Sequence, residues 1–134
     1  MALPSLLQDV RTRPTLHLHS VEYDAATALL HGFDLAHNRC FLMGFREWLV
    51  ARLGYGNNLW WTALALYCIF PNTDDPRARL VSEEAHKHAV VALFDLLDEF
   101  TEERTERGIR KVLSDYENWL QRQDWYDSDP SGLT

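Results

Sequence analysis

At 134 residues the chain is long enough to close a core of its own, since a domain of that size buries roughly two-thirds of the surface its unfolded chain exposes. Hydrophobic residues at 46% and charged residues at 25% exclude both a disordered tail and a wholly apolar membrane protein. The net charge of −7 comes entirely from residues 72–134, with fifteen acids against eight bases, while residues 1–71 carry five of each; phosphate repulsion argues against nucleic-acid binding and favours a basic protein partner.

The opening "MALPSLLQDVRTRP" has no basic segment ahead of an apolar stretch, so it does not read as a signal peptide. Cys40 and Cys68 each fall in an apolar helical pattern, where unpaired thiols in a reducing cytoplasm are expected. Residues 4–13 predict a short helix with Pro4 in its first turn. "TLHLHSVEY", from Thr15, alternates as a strand does but finds no second strand to pair with, which leaves extended chain or the lead-in to a helix. From Asp24 the period turns helical through Ala25, Leu29, Phe33 and Ala36. Asn38 is placed to cap a second helix that turns Phe41, Phe45, Trp48, Leu49 and Leu53 to one face and stops at a left-handed Gly54.

Leu59 to Phe70 is apolar on every side. Twelve residues of helix reach about 18 Å against a hydrocarbon layer of about 30 Å, so the segment cannot cross a membrane and is expected to be enclosed by other helices. Asn57 or Asn58 is its expected cap. Trp60 and Trp61 point about 100° apart, which brings at least one indole to the core edge, where its N–H needs an acceptor. "NTDDPRARLV" reads as a polar loop. Ser82 opens a long helix with the stripe Ala85, Ala89, Leu93, Leu96, Leu97 and Phe100, which Gly108 breaks, and a last helix follows with Ile109, Val112, Leu113, Tyr116, Trp119 and Leu120 in period. The predicted fold is all-α: one domain over residues 1–134, a bundle of four to five helices around the apolar one.

No catalytic group stands out. Glu83 and His86 have Glu-x-x-His spacing, but a carboxylate-bridged di-metal site needs two such motifs, and His86 and His88 lie about 200° apart on a helix. His17 and His19 would share a face of extended chain, and two ligands do not make a site. "GYGNNL" lacks the preceding strand and third glycine of a dinucleotide loop. The expectation is no enzyme, no metal and no cofactor; a helical metal protein or enzyme using Glu83 and His86, or a structural subunit of a larger assembly, are the alternatives.

Asp95, Asp98, Glu99, Glu102 and Glu106 recur at three- and four-residue steps opposite the apolar stripe, with Glu103 on the flank and Arg104 and Arg107 softening the charge. The ridge reads either as a solvated face or as a docking surface for a cationic partner, since like charges one turn apart each weaken the helix by a few tenths of a kcal/mol.

Residues 41–71, "FLMGFREWLVARLGYGNNLWWTALALYCIFP", resemble the immunity proteins encoded beside bacterial polymorphic toxins, over about a quarter of the chain. The resemblance implies a cytoplasmic inhibitor that blocks a cognate toxin domain, one that acts on nucleic acid and is correspondingly basic. On that expectation the acids meet lysines and arginines of the toxin, and Tyr55, Trp125 and Tyr126 supply aromatic contacts.

Overall fold

The computed structural model describes residues 3–126. Among them every regular element is helical: α1 (Ser5–Thr12), α2 (Pro14–His17), α3 (Tyr23–Ala36), α4 (Phe45–Leu53), α5 (Trp61–Ile69), a 3-10 turn (Pro76–Arg79), α6 (Glu83–Arg107) and α7 (Ile109–Gln121). The all-α expectation holds, with more and shorter helices than four or five. None of them is long and apolar enough to cross a membrane.

The long helix α6 packs against α3, α4, α5 and α7, and α4 packs against α5 and α7. Ser82 starts α6 as its pattern requires, its hydroxyl accepting the Ala85 N–H at 3.1 Å. Ala89, Leu93, Leu96, Leu97 and Phe100 are buried as expected, together with Val90, Phe94 and Thr101; Ala85 is only half-buried. Phe45 of α4 brings three helices to one point, its ring 5.1 Å from Phe100, 5.8 Å from Trp61 and 6.1 Å from Trp48.

Several boundaries differ from expectation. The stretch from Thr15, expected as extended chain or a helix lead-in, falls in a helical turn that Pro14 presets as far as His17, then bends at residues 19–21 before Tyr23. Asn38 caps nothing. It and Arg39 take positive φ of 58° and 62°, the Arg39 N–H returns to the Asp34 carbonyl at 2.8 Å, and the chain reverses after α3. The following loop is fixed by side chains from elsewhere: buried Asp34 accepts the Leu42 N–H at 2.8 Å, and α4 begins only at Phe45. Cys40 therefore lies exposed in this loop rather than in a helical core.

The apolar helix α5 is shorter than expected, and neither Asn57 nor Asn58 caps it; Trp60 holds that place. Trp61, Leu64, Ala65 and Leu66 are buried while Thr62, Ala63, Tyr67, Cys68 and Ile69 are half-buried. Trp60 is 59% exposed, and neither neighbouring indole finds an acceptor among the described residues. In α7, Val112 and Trp119 are buried, whereas Leu113 faces outward at 41% exposure.

His86 has a structural task. Its Nδ1 accepts the Tyr23 N–H at 3.0 Å, satisfying a donor at the start of α3 where no local side chain does so. Tyr23 is fully buried, its hydroxyl donates to the Thr62 carbonyl at 2.6 Å, and burial pushes its ionisation well above the ordinary range. Among the described residues no three of His, Cys, Asp and Glu are grouped to hold an ion.

Two glycines test the backbone account. Gly44 has φ 88°, and a Cβ there would lie 2.6 Å from Ile109 Cδ1, whereas Gly32 lies inside α3 with nothing within 4 Å. Gly44→Ala is expected to lower unfolding free energy by about 1 kcal/mol or more and Gly32→Ala to raise it by up to about 1 kcal/mol, read from urea midpoints.

Candidate partner-docking surface

The acidic ridge occupies the outer edge of α6, but much of it is engaged within the chain. Arg11 of α1 pairs with Asp95 and lies 3.6 Å from Asp98. Arg52 of α4 reaches Glu99 at 2.7 Å while its guanidinium lies 5.1 Å from the Trp48 ring centre. Glu103 accepts the Trp48 indole N–H. Glu102 and Glu106 are exposed and have no ionic partner among the described residues.

Arg104 does not soften the ridge. It turns inward, 4.8 Å from the Phe100 ring centre, and one guanidinium nitrogen donates to the carbonyls of Phe41 at 2.7 Å, Met43 at 2.9 Å and Cys40 at 3.3 Å. Desolvation lowers its proton affinity, yet the guanidinium stays charged at any neutral pH. Arg104 thus clasps the loop that delivers α4.

The expected aromatic contacts gather at the C-terminal end of α4. Gly54 ends α4 with φ 79° and Gly56 follows with φ 88°, so the turn between them holds Tyr55 outward, 46% exposed, with its ring 5.7 Å from Tyr67. Trp125 is 61% exposed and stands edge-on to Trp119 at 6.3 Å. Tyr126 is half-buried. Tyr55 and Trp125 line one hollow of about 440 Å³ with Trp119, Asn57, Asn58 and Gln123. A second hollow of about 510 Å³ also borders Trp119, with Ala51 and Val112 among its apolar lining and Trp48, Arg52, Glu103, Asp115 and Arg122 among the rest.

The structure therefore brings Tyr55 and Trp125 together, brings Glu103 to the adjoining hollow, and links Glu99 to that hollow only through Arg52. Asp95 and Asp98 lie at the Arg11 contact instead. Sequence reasoning missed the residue at the centre: Trp119 keeps the apolar period of α7 and reads as core, which its 9% exposure bears out. The overlooked signal is the tryptophan's polar edge. Trp119 Nε1 lies 4.0 Å from the point where a side chain at Gly54 would begin, and its N–H has no acceptor among the described residues.

Comparison of the chain with protein-family models, with curated proteins and with solved structures gives no significant match.

Removing the Arg104 clasp should be felt where removing a surface pair is not. Arg104→Ala is expected to cost about 2 kcal/mol or more, because three carbonyls lose a charged donor, and Arg11→Ala to stay within about 1 kcal/mol; paired urea titrations measure both.

Proposed function

We propose that this chain works by binding a protein: an immunity protein that holds a cognate bacterial toxin domain through the face where Tyr55 and Trp125 meet at Trp119. That convergence carries the reading, because two exposed aromatic rings beside a buried third make an anchoring patch of the kind that dominates protein interfaces. Glu103 of α6 lines the hollow that also borders Trp119, and the unpaired Glu102 and Glu106 of the same helix are what a basic toxin meets without displacing an internal arginine. Charge there hastens encounter, and the aromatic patch sets the lifetime of the complex.

The reading extends to the surroundings. The toxin acts on nucleic acid, the chain itself contacts neither nucleic acid nor membrane, and the complex forms in the bacterial cytoplasm. The helices are taken as a bundle of four to five principal members enclosing the 59–70 segment, a view supported by Leu64 and Ala65 having no exposed surface.

The test is capture of the toxin from extract of the producing cells, followed by protection of a toxin-expressing strain. Trp125→Ala is expected to weaken capture by about thirtyfold, and the pair Glu102→Lys with Glu106→Lys to slow association and flatten its salt dependence. Capture and protection that persist unchanged in all these variants would place the interface on another face.

A further inference from the structure

The hollow framed by Tyr55, Trp119 and Trp125 has a chemical bias that points to its occupant. A quarter of the chain is charged, yet no residue lining this hollow is; its polar members are the carboxamides of Asn57, Asn58 and Gln123. What those groups leave unused is mostly donor. Asn57 Oδ1 already accepts the Tyr116 hydroxyl at 2.5 Å, so its amide N–H groups remain. Gln123 gives its Nε2 to the Trp119 carbonyl at 2.8 Å, and Asn58 has no side-chain partner among the described residues. Trp119 is the decisive member. It is more than nine-tenths buried, it borders the hollow, and its indole N–H has no acceptor among the described residues.

We propose that this hollow binds an uncharged, proline-rich segment of the protein partner in the polyproline II conformation. A polyproline helix has no internal hydrogen bonds, so its carbonyls need outside donors, and proline has no N–H to offer in return. The hollow supplies the complement: N–H groups from Trp119, Asn57 and Asn58, with the rings of Tyr55 and Trp125 as walls for pyrrolidine faces. Aromatic-lined grooves with such donors are a recurring solution for this ligand conformation. The second hollow also borders Trp119, but Arg52, Glu103, Asp115 and Arg122 line it, so the uncharged segment is assigned to the first hollow alone. A saccharide would use acceptors as well as donors, and the hollow's free carboxamide oxygens belong to Asn58 and Gln123 alone.

The inference rests on the docking face described above and names what that face receives. The probe is capped decaproline added to the full chain, followed by tryptophan fluorescence and by the indole N–H resonance of Trp119, with a Gly-Ser peptide of equal length and cellohexaose as comparisons. Saturable binding of decaproline alone is expected, with the Trp119 indole resonance moving as the site fills. Tyr55→Ala and Trp125→Ala should each weaken it about tenfold or more, and Trp119→Phe, which keeps a ring in the core but removes the N–H, should weaken it severalfold with the melting transition retained. Absence of saturable binding, binding equally strong in all three variants, or cellohexaose moving the same resonance while decaproline does not would each overturn the proposal. If decaproline fails while toxin capture still depends on Trp125, only the proline-rich occupant is lost; if capture is also indifferent to Trp125, the docking face goes with it.

Discussion

The contact between Phe45 and Phe100 is the joint on which the rest of the molecule turns. Phe45 is the first residue of α4, Phe100 lies deep in the buried stripe of α6, and both are fully buried. Around them Trp61 opens α5 and Trp48 stacks one turn further along α4, so three helices share one aromatic junction. Offset and tilted rings at 5–6 Å favour particular orientations beyond their area burial, which fixes the direction in which α4 leaves the junction. Trp48 can hand its N–H to Glu103, and Arg52 can lie over Trp48, only because that direction is fixed. Gly44 stands at the base of the junction, where a φ of 88° strains any residue with a Cβ and the tip of Ile109 would have to shift to admit one.

Seen from this joint, the acids of α6 do two kinds of work. Like charges at successive turns disfavour an isolated helix, and here the chain answers them with arginines from two other elements: Arg11 from α1 and Arg52 from α4. Each pair is partly solvated and contributes at most about 1 kcal/mol, so apolar burial and not charge holds these elements in place. Of the ridge acids, Glu102 and Glu106 fall past the Arg52 contact, in the last two turns of α6 that also carry Arg104 and Arg107.

Much of the architecture was legible because it depends on local rules. The stripe of α6, its Ser82 cap, the break at Gly108 and the stop at Gly54 all follow from spacing and from residues whose backbone or hydroxyl leaves few alternatives. The 37–44 stretch was not legible, for a physical reason. Its apolar residues keep a helical period, but Asp34 and Arg104 hold its backbone in a loop, and neither partner is close enough in sequence for periodicity to register it. The exposed acids were easily found from charge spacing, whereas their internal arginines, between 47 and 87 residues distant in sequence, were not. Trp119 was assigned correctly to the core and its unpaired N–H was overlooked, since apolar period describes one face of an indole and says nothing of its N–H.

The position of the candidate site follows from the same geometry. A helix that ends in a left-handed glycine must throw the next residue away from its axis, and with Gly56 also left-handed the Gly54–Gly56 turn has two such redirections around Tyr55. The turn is anchored rather than loose: Arg46 donates to the Asn57 carbonyl and to the Leu59 carbonyl at 3.0 Å, and the Tyr116 hydroxyl ties Asn57 to α7. Because α7 packs on α4, the end of α7 arrives beside this turn and sets Trp119 and Trp125 against it. A ring such as Tyr55 held on a braced turn loses little conformational entropy when something covers it, which suits this turn to a candidate docking site.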